Sequence, residues 1–314
     1  MASSVMVCVK RTVDSAVRVH AAPDGRAALT HGLKHSINPF CEVALEEALR
    51  LKEKGFFQRV LAVSLGGPSG GAQKQTPQTD ALLHALAMGA DEAYLYTTKY
   101  AADLELQPLA VAKALRRVVQ QQQPALVLLG KQSIDGDNQQ VPQLLAGLLQ
   151  WPQATCASSI EVLRQGQSEE CKGARAGGVL TNPASSSVTA GTAQALSAAG
   201  TASTGAGGTL RVQRQIDSGT QLVEMPLPAV VSCDLRLNVP RHVTLPNLMK
   251  AKKKKINIAD AIEALQPLSA TDLEPRFKIL SVEEFPARAR KCYRVKDVDE
   301  LIQKLQYDAK VLKP

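Results

Sequence analysis

The sequence predicts an α/β fold: a parallel twisted sheet with helices on both faces, a β-hairpin carrying a long insertion, and a C-terminal arm. Three observations predict it. β-Branched and aliphatic runs alternate with helical patterns from Val5 to Leu149, the rhythm of βαβ units. Helical patterns open on start signals, of which Asn38-Pro39 is the clearest. A long stretch of small residues then separates two strand-like runs.

The elements follow in order. Val5 to Val9 reads as a buried strand. Asn38 suits an N-cap and Pro39 a first helical position, so a helix is expected from about Cys41 to Lys54. Its apolar stripe is Cys41, Ala44, Leu45, Ala48 and Leu49, with Glu42, Glu46 and Glu47 read as a solvated face. Val60–Ser64 is the next strand, with a Gly-rich turn and a helix at about Asp80–Met88 after it. Ala93–Tyr96, a helix over Pro108–Gln121, the strand Leu126–Leu129 and a helix from about Gln140 to Leu149 complete the series. Ligands of such sheets bind at the carboxyl ends of the strands.

Two stretches interrupt this rhythm. Residues 165–209 are mostly Ala, Ser, Gly and Thr, too poor in large apolar groups to offset the entropy of ordering, and predict a disordered insertion. The flanking runs Ile160–Leu163 and Leu210–Val212 read as the two strands of an enlarged hairpin. A smaller insertion is expected over Ser69–Thr79. The expected organisation is an α/β domain over 1–255 and an arm over 256–314, with an amphipathic helix near Val298–Leu305 that could pack on another subunit.

Composition excludes several function classes. The net charge is +8, and Lys250 with Lys252 to Lys255 supplies more than half of it. The charge is therefore local, unlike that of a general nucleic-acid binder, and aromatics at 4% are too few for base-stacking surfaces. No apolar run approaches the roughly 18–20 residues that span a bilayer. The six cysteines are scattered, without C-x-x-C or clustered histidines, which predicts reduced structural thiols, no metal site and an intracellular setting. A strand-like run by Val5 argues against a long cleavable presequence.

The best candidate for ligand chemistry is the loop Gly130-Lys131-Gln132-Ser133-Ile134-Asp135-Gly136-Asp137-Asn138-Gln139-Gln140. It follows a strand and enters a helix with Pro142 in its first turn. Free backbone N–H groups and the helix dipole there suit a phosphate, while ordinary capping by Asp137 or Asn138 explains the same pattern. It is not a Walker loop, and no G-x-G-x-x-G follows the first strand. Ser64 to Ser69 resembles the phosphate loop of ATP pyrophosphatases but lacks its aspartate. No nucleophile sits beside a base; His35 reads as a cap or core histidine, and no catalytic residue is assigned.

Thr244 to Lys255 has a different character. Pro240 and Pro246 stiffen a loop that places Leu245, Leu248 and Met249 beside the lysines. A solvated basic face is the bland reading. An apolar knob among charges is also how a weak, fast protein contact is built, with charge steering encounter and the knob desolvating at its centre.

Taken together, these pieces resemble the beta subunit of electron-transfer flavoproteins. The matching segments, in order, are Cys8-Val9-Lys10-Arg11, Lys34 to Glu42, Ala87 to Asp91, Leu129 to Asp135, Leu227 to Val231, Asp234 to Asn238, and Thr244 to Lys255. The resemblance implies a heterodimer with an alpha subunit, containing an FAD held mainly by alpha and an AMP buried in beta. It places the AMP against Cys8, the turn Asn38-Pro39-Phe40-Cys41, Leu65, and the loop Gly130 to Val141. Phe40 corresponds to a position near the flavin ring, and Ser15 stands where the family has a tyrosine. Val141 replaces a phosphate-holding threonine, and Asp135-Gly136-Asp137 has one carboxylate fewer than the family's acidic run.

The resemblance also makes residues 240–255 a recognition loop for acyl-CoA dehydrogenases. Leu245 would be its anchor, with Pro246, Leu248, Met249, Lys250 and Lys253 around it; Lys250 and Lys253 align with lysines methylated in some members. Gln215 replaces a glutamate that influences the flavin domain's orientation. Electrons would pass through the flavin to a membrane-bound electron-transfer flavoprotein ubiquinone oxidoreductase, with beta binding and orienting and performing no turnover of its own. The setting implied is the mitochondrial matrix. The alternative is a bifurcating relative with a second FAD in place of AMP. A free-standing adenine-nucleotide enzyme and a basic RNA-binding protein lack the side chains they would need.

Overall fold

The computed structural model describes residues 3–23, 25, 27–30, 32–67, 78–100, 105–164, 208–284 and 292–312. They form two compact units, one of residues 1–19 and 30–278, the other of 20–29 and 279–314.

The first unit is built on a nine-stranded sheet. In chain order its elements open with β1 (Ser4–Cys8), a small antiparallel pair β2 (Arg11–Val13) and β3 (His35–Ile37), then α1 (Pro39–Glu53) and β4 (Arg59–Gly66). Next come α2 (Thr79–Met88), β5 (Glu92–Thr97), α3 (Pro108–Gln122), β6 (Leu126–Gly130) and α4 (Val141–Leu149). The remainder is β7 (Gln153–Arg164), β8 (Gly208–Ile216), β9 (Gly219–Pro226), β10 (Ala229–Cys233), α5 (Leu245–Ala251), β11 (Ile256–Asp260) and α6 (Ala261–Ala264). The strand order is β11-β5-β4-β1-β6-β10-β7-β8-β9. Pairing is parallel from β11 through β7 and antiparallel for β7-β8-β9.

Alternation along the strands feeds two cores. Val5, Val7, Leu126 and Leu128 face α1 and α2, while Met6, Val127 and Leu129 face α3 and α4. All are buried, as strands covered on both faces must be. The predicted α/β sheet with helices on both faces is present, and each helix and strand expected before residue 150 occurs within a few residues of its expected place.

Several expectations need correction. Glu46 and Glu47 are not on a solvated face; both are buried and hydrogen-bonded. β7 runs from Gln153, longer than expected, and its parallel pairing with β10 adds the hairpin to the main sheet. Gly208 and Thr209, read as part of the insertion, open β8, and Thr79 opens α2. The rest of both insertions, 165–207 and 69–77, lies outside the described residues. Residues 256–278 belong to the first unit, because β11 pairs with β5 at the sheet edge. The expected domain boundary at 255/256 therefore falls inside a unit. The sequence reading passed over β2, β3, β9, β10 and β11.

An ion pair fixes the end of the first unit. Lys113 of α3 lies 2.6 Å from Asp272. Its hydrogen bond, with those from the backbone and side chain of Ser269, holds the Asp272 carboxyl down at about 2. The carboxyl's contribution to stability is thus fully present above its ordinary value of 3.8 and is lost as pH falls through about 2. In Lys113→Met the titration midpoint of Asp272, read by NMR, should move up towards the ordinary carboxylate range. An unmoved midpoint would show that Lys113 is not the cause.

In the second unit Ala21 bridges Ala28, Val282 N–H donates to the Gly25 carbonyl (2.7 Å), and His20 Nδ1 lies 2.8 Å from Glu284 Oε1. The expected amphipathic helix is α7 (Val298–Gln303), capped by the Asp297 carboxylate and followed by one π-type turn. Among the described residues no helix is long and apolar enough to cross a membrane.

Candidate functional site

The strand order places the site. From β1 the chain moves through β4 and β5 on one side, then returns to place β6 on the other. β1 and β6 therefore flank a topological switch point, where an α/β sheet opens a crevice at its carboxyl edge. A cleft of about 270 Å³ lies there, near the lower end of small-molecule pockets, roughly 300 Å³ and upward.

Three helix starts surround it. α1 begins after Asn38, α3 after Gln107 and α4 after Gln140, and no side chain caps any of them. Their first-turn N–H groups lack the side-chain acceptors that caps supply. Asn38 holds the N-cap position, as expected, but its buried side chain does different work. Its Nδ2 donates to the Gln132 carbonyl (2.9 Å) and the Cys41 sulfur (3.3 Å), and its Oδ1 accepts from Ile134 N–H (3.2 Å). Asn38 thus ties the 130–140 loop to the start of α1. Within the loop Asp137 and Gln139 adopt left-handed backbone (φ 49° and 52°), and Gln139 Nε2 donates to Gln132 Oε1 at 2.6 Å.

The charges are paired. Lys10 Nζ lies 2.7 Å from Asp135 Oδ2 and 3.4 Å from Ser133 Oγ. Partial burial disfavours the Asp135 charge, but the Lys10 ammonium and hydrogen bonds from Lys10 and Ser133 hold its carboxyl below the ordinary range. Lys131 Nζ lies 2.6 Å from Asp234 Oδ2 and 5.6 Å from the Phe40 ring centroid. Burial likewise works against the Asp234 charge, but hydrogen bonds from Lys131 and the Arg236 backbone, with the charges of both residues, together hold its carboxyl below the ordinary range. Burial raises the Cys8 and Cys41 thiols, which favours the neutral form of both in the cleft wall.

Most of the expected cofactor residues come together here. Cys8, Asn38, Cys41, Leu65, Gly130, Lys131, Gln132, Ser133, Asp135, Gly136, Asn138, Gln139, Gln140 and Val141 line the cleft. Pro39, Phe40, Ile134 and Asp137 do not; Phe40 is buried against Gly130, and Ile134 contributes its backbone to Asn38. Sequence reasoning missed Val9, Lys10, Arg11, Val63, Leu129 and Pro142, Gln78 at the start of α2, and on the α3 side Leu106, Gln107, Pro108, Val111 and Leu115. Gln107-Pro108, a helix start following a parallel strand, was the available signal. Among the described residues no group of His, Cys, Asp or Glu could hold a metal ion.

The lysine-rich segment lies elsewhere in the first unit and is not only a loop. Leu245 to Ala251 is a seven-residue helix, α5, packed on α2. Leu245 and Met249, one turn apart, are 72% and 54% exposed, whereas Leu248 and Ala251 turn into the core. Leu248, expected in the exposed knob, is therefore a root of the helix. Pro246, Lys250 and Lys253 are exposed. Gln215, half-buried on β8, accepts from Arg236 Nη1 at 3.0 Å, and Ser15 lies exposed in the turn after β2.

Comparison with known proteins agrees with this architecture. Residues 27–176 match the electron transfer flavoprotein domain family. The chain is 39% identical over 303 residues to the electron transfer flavoprotein subunit beta of Homo sapiens, covering 96% of each chain. It is 38% identical over 309 residues to the electron transfer flavoprotein subunit beta, mitochondrial, of Oryza sativa subsp. indica, and 38% over 311 residues to the electron transfer flavoprotein subunit beta of Bradyrhizobium diazoefficiens, each alignment covering 98% of this chain and 99% of the relative. Aligned over nearly its whole length with these relatives, this chain belongs to the electron transfer flavoprotein family as a beta subunit.

Proposed function

We propose that this chain pairs with an electron transfer flavoprotein alpha subunit, buries AMP in the switch-point cleft and helps position an FAD held mainly by alpha. It also presents α5 and its lysines to acyl-CoA dehydrogenases, and the electrons leave to an electron-transfer flavoprotein ubiquinone oxidoreductase. The flavin supplies the redox chemistry when bound; this chain binds, orients and docks. The single observation that carries the reading is the mononucleotide-sized cleft ringed by uncapped helix starts.

The residues fit AMP. Val63, Leu65, Leu106, Val111, Leu115 and Leu129 offer an apolar bed for a purine. The loop 130–140 and the start of α4 offer backbone donors for a phosphate, which suits the replacement of a phosphate-holding threonine by Val141. Because Lys10 and Lys131 already face Asp135 and Asp234, the phosphate charge would be met chiefly by N–H dipoles. Phe40, which the resemblance sets near the flavin, is buried within this chain. The second-unit residues Leu280, Val298 and Tyr307 are well exposed, in keeping with an arm that packs on alpha. Placement in the mitochondrial matrix belongs to the same proposal; the rice relative is named mitochondrial, and the Bradyrhizobium relative is bacterial.

The test is to co-express the chain with an alpha subunit, denature the purified complex and count the released nucleotides. One FAD and one AMP per heterodimer is the expected result. Two FAD and no AMP would mean the bifurcating type, and no stable complex would overturn the proposal.

A further inference from the structure

We propose that Glu46 of α1 is a positioning residue for docking: through Arg241 it bolts the segment before α5 onto α1, and so fixes the attitude of Leu245 and Met249. The inference rests on the docking role proposed above.

The argument begins with a carboxylate in an unexpected place. The Glu46 side chain is only 3% exposed. A charge so buried is costly unless fully paired, and two arginines pair it. Oε2 accepts from Arg241 N–H (3.2 Å) and Nε (2.7 Å); Oε1 accepts from Arg241 Nη2 (3.2 Å) and Arg50 Nε (2.8 Å). The outer edge of the same guanidinium reaches Glu53 at 2.6 and 3.2 Å.

Neighbouring turns of α1 grip the residues just before. Asn238 Nδ2 donates to Glu47 Oε2 (2.9 Å) and to the Val43 carbonyl (3.2 Å), and Arg50 Nη2 donates to the Val239 carbonyl (3.1 Å). Residues 238–241 are thus strapped along α1. Only His242, Val243 and Thr244 separate the strap from Leu245. α5 has seven residues, too few to be stable without tertiary support, since isolated helices below roughly 12–15 residues are marginal. Leu248 and Ala251 root its middle and end; Glu46 fixes its entrance. Cutting the strap leaves the exposed knob sampling many attitudes, and apparent affinity falls in proportion to the competent fraction.

The experiment uses the full heterodimer and follows flavin reduction by an acyl-CoA dehydrogenase. Glu46→Gln should raise KM for the electron-transferring partner about tenfold while kcat stays within about twofold, the pattern of a lost competent fraction. Amide exchange over residues 245–251 should quicken by a similar factor, with FAD content, AMP content and alpha association as in the parent. A Glu46→Gln heterodimer with parental KM and parental exchange overturns the inference. Should that variant not fold, Arg241→Met leaves Glu46 its Arg50 partner and must show the same KM rise; a parental KM there overturns the inference equally. Leu245→Ala separates the two levels. If it too leaves KM unchanged, the docking reading itself fails; if it raises KM while Glu46→Gln does not, only the positioning role fails.

Discussion

Gly130→Ala is expected to lower the occupancy of the proposed AMP cleft and weaken the fold together. Gly130 ends β6, where the first turn of α1 passes over it. A Cβ there would lie 2.7 Å from Phe40 Cβ, 2.9 Å from the Phe40 carbonyl carbon and 3.0 Å from Cys41 N. Two of these are backbone atoms, which cannot rotate aside. The start of α1 must therefore shift, carrying Asn38 and, through its bonds to Gln132 and Ile134, the 130–140 loop. Overpacking of this kind costs about 1–3 kcal/mol, and at roughly 2–4 °C per kcal/mol for a domain of this size the melting midpoint falls measurably. Calorimetry and AMP content of the purified heterodimer are the two readouts. AMP should drop below half of the parental level, and parental values of both would show that α1 tolerates the methyl group.

The second large effect is expected at the docking helix. Leu245 is 72% exposed, so Leu245→Ala should leave stability within about 0.5 kcal/mol of the parent. Burying a leucine in a partner's pocket is worth about 1.5–3 kcal/mol, roughly a 10- to 100-fold change in affinity. Reduction by an acyl-CoA dehydrogenase should therefore slow by that order at subsaturating concentration, with FAD still bound. The remaining rate should also fall as salt is added if, as proposed, the exposed lysines of 250–255 steer the encounter. Equal rates for variant and parent would remove Leu245 from the docking role.

The elements that the sequence revealed are those whose local pattern and tertiary role coincide. Val5–Val9 and Leu126–Leu129 are apolar throughout because both faces of a central parallel strand are covered, and Asn38-Pro39 marks a helix start wherever it is placed. β9 and β11 were passed over because edge strands are half solvated. Their residues, such as Gln221, Glu224, Asn257 and Asp260, carry little apolar periodicity, and only pairing with β8 and β5 makes them strands. The loop 130–140 was legible as a wall of the cleft because it joins a strand to a helix. The α3 wall of the cleft was not, because nothing local links Gln107 to Cys8.

By itself the sequence determined the α/β class, the family through its ordered motifs, and the two stretches on which the functional proposals rest, Gly130–Val141 and Thr244–Lys255. These are local properties: hydrophobic period, cap residues, glycine spacing and charge density. The tertiary structure alone decided that Glu46, on what reads as a polar helix face, is a buried ion-pair partner for Arg241. It alone decided that Leu248 is a root while Leu245 and Met249 are presented, and that Asn38 ties a loop instead of capping a helix. Burial and pairing between residues far apart in the chain depend on which surfaces the fold brings together, and no local pattern encodes that.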